Sequence, residues 1–378
     1  MKTKTYLFSA PGRTEISGNH TDHQHGCVLA GAVDLETTAE VTFNGTDTIR
    51  VHSDGYAPVE VALRDLQPRW SERNTTAALV RGVSAAFSRC GAQLQGLDAV
   101  VHSTVLPGSG LSSSAAFEVL FGTMLNDLFY DSNLTAAEIA QIGQYAENVY
   151  FGKPSGLMDQ MASSVGGMVF IDFENPKAPY VEKLDFDFSA AGHALCIIDS
   201  GADHSDLTDE YTAVTMELKS VCSHFGKSVL REVPEEDFMA ALPLLRQKIS
   251  HRGILRAIHV YNENRRVRAQ VQALKDGDFA RFLALANESG RSSWMYLQNI
   301  TPTGAAEHQE VALTLALCER FLQGRGACRV HGGGFAGTVQ AFVPLDMLDK
   351  FKTNMEAILG EGKCHVLSIR SQGGIRIK

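Results

Sequence analysis

Between Ala10 and Gly26 the chain carries Arg13, Glu15, Asn19, His20, Asp22 and Gln24, punctuated by Gly12, Gly18 and Gly26 and preceded by strand-like Tyr6, Leu7 and Phe8. Donors, acceptors and charges of both signs on so short a turn suit the capture of a small polar ligand. A second segment, Pro107 to Ala116, sets Gly108, Ser109, Gly110, Leu111, Ser112, Ser113 and Ser114 between a strand-like run and an apolar helix. Its glycines let backbone approach an anion, and a helix start aims unpaired N–H groups and a partial positive charge at it. A plain glycine turn with serine caps would carry the same letters. The segment is not a GxxxxGKS/T loop, so nucleotide binding here requires another class of fold.

Two carboxylates follow. Glu147 ends a helical stretch, and Asp159 lies in Ser155 to Gln160 after a Gly/Pro turn. A hard divalent cation on nucleotide phosphates takes one or two carboxylates plus waters. A hydroxyl that attacks a phosphoryl group needs a carboxylate within hydrogen-bond reach. Two acidic residues after a glycine loop also occur by chance. A third segment, His331 to Gly337, is denser in glycine than a hairpin needs. Each glycine costs about 0.5–1 kcal/mol relative to alanine in regular structure. Close approach to a ligand or to another backbone segment accounts for that cost, and a tight structural turn is the alternative.

The elements that must hold these residues are legible in outline. Val28–Ala32, Thr38–Phe43, Ile49–His52 and Leu97–Val105 read as strands, as do 166–173 and Ala194–Asp199. Ala115–Asn126 reads as a buried helix, and Leu134–Asn148 as a second one, with Thr135 and Glu138 as its capping box. From about Asp206 to Leu322 the pattern is mostly helical, and strands return at Ala327–Val330 and Thr338–Val343. A chain of 378 residues exceeds the size at which one core stops growing, which predicts two α/β domains with a boundary near 190–205.

A net charge of -9 gives no reason to expect nucleic acid or an anionic membrane, and it obliges a phosphorylated ligand to find a local positive site. The seven cysteines are scattered without a CxxC pair, as in reduced cytoplasmic proteins. The first residues lack the apolar core of a signal peptide and no run is long enough to span a bilayer, so a cytoplasmic protein is expected. His20, His23 and His25 lack the second ligand cluster that a metal site would need. Arg265 to Arg268, with Glu263 nearby, reads as a solvated helix face.

Taken in order, the three glycine-containing motifs resemble those of the GHMP kinase superfamily. Pro11-Gly-Arg13 with Gly18, His20, Thr21 and Asp22 is similar to the galactokinase signature, 107–116 to that family's phosphate loop, 156–160 to its Gly-Ile-Met-Asp-Gln segment, and 332–337 to its third motif with one change. Asn287 to Ser292 resembles part of its second domain, so the likeness covers nearly the whole chain.

The resemblance implies an α/β (α+β) two-domain fold: a ribosomal-protein-S5-like N-terminal domain over 1–195, a ferredoxin-like C-terminal domain over 196–378, and an active site in the cleft between them. It implies ATP-dependent phosphorylation of the anomeric hydroxyl of galactose, with Mg²⁺, by a monomer or weak homodimer. Asp159 would face that hydroxyl as proton acceptor or orienting group, with Arg13 beside it. Gly108 to Ser114 would wrap the ATP phosphates, with Ser114 and Glu147 on Mg²⁺. Asn19, His20, Thr21, Asp22, Gly156 and Tyr211 would serve the sugar.

One departure bears on the substrate. The family's usual Gly-Glu-His-Thr-Asp-Tyr-Asn is here Gly18 to Gln24 with Asn19 for the glutamate that meets a hydroxyl near C6. A sugar carboxylate about 4 Å from a glutamate would cost about 1–4 kcal/mol at effective dielectrics of about 80 to about 20. Its replacement by an amide therefore admits a uronic acid, and Asp22-His-Gln24 also resembles galacturonate kinases. His331 and Ala336 stand where threonine and glycine are usual and are expected to adjust loop packing. A catalytically silent sugar- and ATP-binding sensor is the alternative outside enzymes.

Overall fold

The computed structural model describes residues 4–105, 110–153, 155–202 and 207–378. Its first half is a sheet backed by helices. In chain order come β1 (Tyr6–Ser17), β2 (Cys27–Phe43), β3 (Thr48–Ser53), β4 (Val59–Ala62), α1 (Thr76–Arg89), β5 (Leu97–Ser103), α2 (Ser113–Phe129), α3 (Ala136–Tyr145), α4 (Met158–Val165), β6 (Met168–Asp172) and β7 (Tyr180–Leu184). The second half runs β8 (His193–Asp199), α5 (Thr208–His224), α6 (Glu235–Lys248), α7 (His251–Lys275), α8 (Phe279–Ser292), α9 (Glu310–Leu322), β9 (Ala327–Val330), β10 (Thr338–Pro344), α10 (Leu348–Leu359), β11 (Cys364–Leu367) and β12 (Ile375–Arg376).

Two sheets result. The larger has the order β12-β1-β2-β5-β3-β4, with β6 on β2 and β7 on β6, and the smaller the order β11-β8-β10-β9. Phe8, Val41, Leu97, Phe87 and Phe121 belong to the core between the large sheet and α1 and α2; Ile198, Val330, Leu315 and Phe351 belong to that of the small sheet with α9 and α10. Among the described residues no helix is long and apolar enough to cross a membrane. A division between 195 and 196 falls inside β8, and the last strand, β12, pairs with β1. The chain thus closes on its own first strand, a return that local periodicity does not announce.

The capping box of α3 is present in both directions: Thr135 Oγ1 accepts from Glu138 N–H at 3.3 Å, and Glu138 Oε2 accepts from Thr135 N–H at 2.8 Å. The N-terminal segment differs from its reading as a turn. β1 extends to Ser17, so Arg13 and Glu15 are strand residues and only 18–26 form the turn. The β1–β2 register slips between Pro11 and Arg13 and again between Glu15 and Ser17. Such irregularities re-aim side chains beside active sites.

The turn is fastened to α7. Asn264 Oδ1 accepts from Cys27 N–H at 2.7 Å, His259 Nε2–H donates to the Asn19 carbonyl at 3.0 Å, and Glu263 Oε1 accepts from Gly18 N–H at 3.2 Å and from Ser289 Oγ at 2.6 Å. Glu263 is fully buried and pairs with Arg266 at 2.7 Å. Arg266 is therefore turned inward while Arg265 and Arg268 pair at the surface with Glu235 and Asp172, so the expected solvated face holds for two of these three arginines.

Burial pushes the Glu263 carboxyl up, but Arg266, His259 and Arg329 outweigh it and bring it down to about 2. A depressed folded-state value stabilises the fold above the unfolded value near 4.5 and loses that stabilisation as pH falls toward 2. Glu263→Gln is expected to cost about 3–5 kcal/mol at pH 7, because it leaves Arg266 without its charge partner. Wild type and variant should converge in urea midpoint between these two pH values; a gap that is constant with pH would contradict the ionic role.

Candidate active site

Arg13 and Asp159 form a two-pronged ion pair, Nε to Oδ1 and Nη2 to Oδ2, each at 2.7 Å. Arg13 comes from β1 just past the first register slip, and Asp159 from the first turn of α4. Ser112 Oγ donates to Asp159 Oδ2 at 2.8 Å, and Arg13 also donates to the Gly110 carbonyl. Burial alone would raise the Asp159 carboxyl; the Arg13 charge and the bonds from Arg13 and Ser112 prevail and hold it below its ordinary value. Its side chain remains 26 % exposed, so an ionised carboxylate faces open space.

Beside this pair lies the start of α2. Gly110 (φ +71°) and Ser112 (φ +57°) are both left-handed, and Ser113 and Ser114 open the helix. Leu111 is buried, and its carbonyl accepts from Arg13 N–H at 3.0 Å, which stitches the loop to β1. A β-carbon on Gly110 would sit 2.9 Å from Thr338 Oγ1 and 3.0 Å from His331 Nδ1, so the loop packs directly on the third motif. Gly108 and Ser109 lie outside the described residues.

Ser114 Oγ donates to Glu147 Oε1 at 3.2 Å. Glu147 belongs to a π-helical turn, Ala146–Phe151, and is 2 % exposed. Lys153 Nζ lies 3.3 Å from the same oxygen, while Gln160 Nε2 donates to Glu147 Oε2 and to Glu118 Oε2, each at 2.9 Å. Burial, then the Glu147 charge, pushes the Glu118 carboxyl well up. A hydroxyl and a carboxylate at a helix start, with an exposed lysine ammonium against that carboxylate, are a donor set and a charge balance that fit Mg²⁺ bridging phosphates. No group of three or more His, Cys, Asp or Glu side chains placed to hold a metal ion is present among the described residues.

The residues expected at the sugar converge on the glycine loop. His20 Nε2–H donates to the Gly333 carbonyl at 2.9 Å, and its Nδ1 accepts from His23 at 3.1 Å. Burial, then His23, lowers His20 to about 3, so it is a neutral imidazole. Tyr211, in the first turn of α5, donates its hydroxyl to the Gly334 carbonyl at 2.9 Å. Gly156 abuts Asp22, whose carboxylate a β-carbon there would strike.

Asn19 and Thr21 lie differently from expectation. Thr21 is buried, and its hydroxyl donates to the Gly18 and Cys27 carbonyls at 2.8 and 2.6 Å, closing the turn. Asn19 is fully buried; its Nδ2 donates to Glu15 Oε1 at 3.2 Å and to the Gly332 carbonyl, and its Oδ1 accepts from Asn299 at 2.7 Å. Protein groups surround this amide because Glu15 and Gly332 present acceptors that only a donor can satisfy.

Several participants escaped the sequence reading. Gln160 was legible, since it adjoins Asp159 in a matched segment. Lys153, Glu118, His259 and Asn299 lie in no ligand-binding pattern, and only packing brings them here. His331, read as a packing change, accepts from Thr14 Oγ1 at 3.1 Å and from Glu15 N–H at 3.3 Å and donates to Thr338 at 2.9 Å, tying β1 to β10.

Two family models match the chain. The galactokinase galactose-binding signature matches residues 1–43, and the GHMP kinases N-terminal domain matches residues 77–167. The chain is 35 % identical over 345 residues to the human galactokinase, covering 87 % of this chain and 81 % of that protein. It is 33 % identical over 342 residues to the galactokinase of Streptomyces coelicolor, covering 89 % and 84 %. The crystal structure of the Lactococcus lactis galactokinase complexed with galactose shares the fold, with a TM-score of 0.83 at 23 % identity over 98 % of this chain and 95 % of the other. With both family models matched and this similarity along most of its length, the chain belongs to the galactokinase family of GHMP kinases.

Proposed function

We propose that the protein transfers the γ-phosphoryl group of ATP to the anomeric hydroxyl of galactose, forming galactose 1-phosphate. The observation that carries this reading is the Arg13–Asp159 pair, with its aspartate partly open to solvent and flanked by the start of α2. The free N–H groups of that helix start receive the phosphates. Asp159 accepts a hydrogen bond from the attacking hydroxyl and orients it; the proton passes to this carboxylate as the new O–P bond forms and the bond from the γ-phosphorus to the bridging oxygen breaks, with ADP as the leaving group. Because Arg13 keeps Asp159 weakly basic, positioning and electrostatics supply more of the rate than proton abstraction. Arg13 in turn stabilises charge on the transferring group.

Ser114 and Glu147 are the residues that would hold Mg²⁺, which when bound neutralises phosphate charge. Lys153, whose exposed ammonium lies beside Glu147, would meet a phosphate oxygen. Asp22 and the Tyr211 oxygen, which can still accept, address the sugar hydroxyls beside Gly156, while His20, with both ring nitrogens on protein groups, holds the glycine loop next to them.

A neutral hexose is favoured over a uronic acid. The arginines around the turn are engaged, Arg13 with Asp159, Arg329 with Glu15 and Arg256 with Glu217, while burial keeps His20 and His23 neutral. The partly exposed Asp22 would repel a sugar carboxylate.

A coupled assay with galactose, galacturonate, glucose and N-acetylgalactosamine tests the reading: galactose should give the highest kcat/KM. Preference for galacturonate would overturn the substrate, and binding without turnover would favour a sensor. Asp159→Asn should reduce kcat below about 1 % while galactose and ATP dissociation constants stay within about tenfold, about 1.4 kcal/mol. Gly156→Ala should raise the galactose KM about tenfold or more by displacing Asp22, with the ATP KM little changed. Equal effects on both substrates would place Gly156 outside the sugar site.

A further inference from the structure

Asn299 belongs to no motif, yet it stands at the junction of the two segments that surround the sugar site. It follows Gln298, a left-handed residue (φ +56°) that ends a π-helical turn over Ser293–Leu297. That turn is anchored on α7, where Arg256 Nε donates to the Leu297 carbonyl at 3.0 Å. Asn299 itself has no solvent exposure. Both hydrogens of its side-chain amide are used: Nδ2 donates to Asn19 Oδ1 at 2.7 Å and to the Gly333 carbonyl at 3.0 Å. Its backbone carbonyl accepts from Phe335 N–H at 2.6 Å, and a β-carbon on Gly334 would run into that same carbonyl.

The glycine loop is consequently held at three successive carbonyls. Gly332 accepts from Asn19, Gly333 from His20 and Asn299, and Gly334 from Tyr211. Asn299 alone among these donors also grips another of them, Asn19. That explains the amide at position 19 without reference to a sugar carboxylate. Position 19 must accept from Asn299 on one side and donate to Glu15 and Gly332 on the other, and an ionised glutamate has no hydrogen to donate.

We propose that Asn299 is the positioning residue of the sugar site, its amide locking Asn19 and the glycine loop into one body so that Asp22 and Tyr211 meet the sugar preassembled. The consequence for sugar affinity rests on the reading of the site as a galactose kinase; the locking of the loop does not. A side chain that orders a site without touching the substrate acts by preorganisation, so its loss appears in affinity for the ligand whose partners it orders.

The test uses the full chain with Asn299→Ala, Asn299→Asp and Asn19→Ala. Galactose binding is followed by calorimetry without nucleotide, steady-state constants for both substrates are measured, and hydrogen exchange is followed over 330–337. Both Asn299 variants should raise the galactose Kd and KM about tenfold while the ATP KM stays within about twofold, the Asp variant at least as strongly because it puts an acceptor against two acceptors. Exchange over 330–337 should accelerate in both. Asn299→Ala and Asn19→Ala together should cost less than the sum of the two alone, as for residues sharing one network. Unchanged exchange in a folded variant would overturn the lock whatever the sugar. Accelerated exchange with unaltered galactose affinity, or a parallel loss of ATP and galactose affinity with falling Tm, would overturn the positioning role. Absence of galactose turnover by the wild type would overturn the functional reading instead, leaving the exchange result to decide the lock.

Discussion

The two-pronged bond between Arg13 and Asp159 is the constraint around which the rest of the site is arranged. It joins the first strand to α4 across 146 residues of chain, and the same arginine reaches the Gly110 carbonyl at the mouth of the phosphate loop. A planar guanidinium satisfies a carboxylate in one geometry only, so the pair sets both the direction of the carboxylate and the distance between α2 and α4. The register slips in β1 make this possible, because an unbroken strand would alternate its side chains differently past Pro11. Ser163 Oγ donating to the Pro11 carbonyl at 2.7 Å fixes α4 against the same irregular stretch.

Around this pair lie many buried polar groups, and several of them join distant parts of the chain. Arg329, fully buried, donates to Glu15 Oε1 at 2.8 Å and to the Ile16 carbonyl at 2.9 Å, which ties β9 of the small sheet to β1 of the large one. His331, Gln340 and Glu263 make further connections between the same regions. An apolar interface would give comparable burial with less directional demand. Charged and amide groups that must each find a partner instead admit one relative placement of the two sheets, because any other would leave buried donors unpaired. That specificity suits an enzyme whose phosphate-binding and sugar-facing groups come from both halves.

Much of the local structure is readable from residue patterns alone. The capping box at Thr135 and Glu138, the buried helix after the serine run and the strands at Ile49 and Leu97 follow from short-range rules of period and capping, which depend on neighbours in sequence. The failures share a cause. The stretch from Ala10 reads as a turn because its polar residues break the usual alternation, yet a buried strand, here paired with β2, carries polar groups when each finds a tertiary partner. The solvated reading of Arg266 failed likewise, since a buried carboxylate on its own helix claims it.

Residue types and their order pointed to the proposed chemistry: a glycine–serine loop before a helix suited to phosphates, an arginine and an aspartate suited to phosphoryl transfer, and a polar turn suited to a sugar. These properties reside in functional groups and in backbone freedom, and a linear chain displays both. Tertiary structure alone decided what each group faces. Asn19 is the clearest instance: its letter permits a sugar contact, but Glu15, Gly332 and Asn299 enclose its amide. A hydrogen bond depends on a partner within about 3 Å, and partners 280 or 313 residues away enter that range only when the two sheets close on each other.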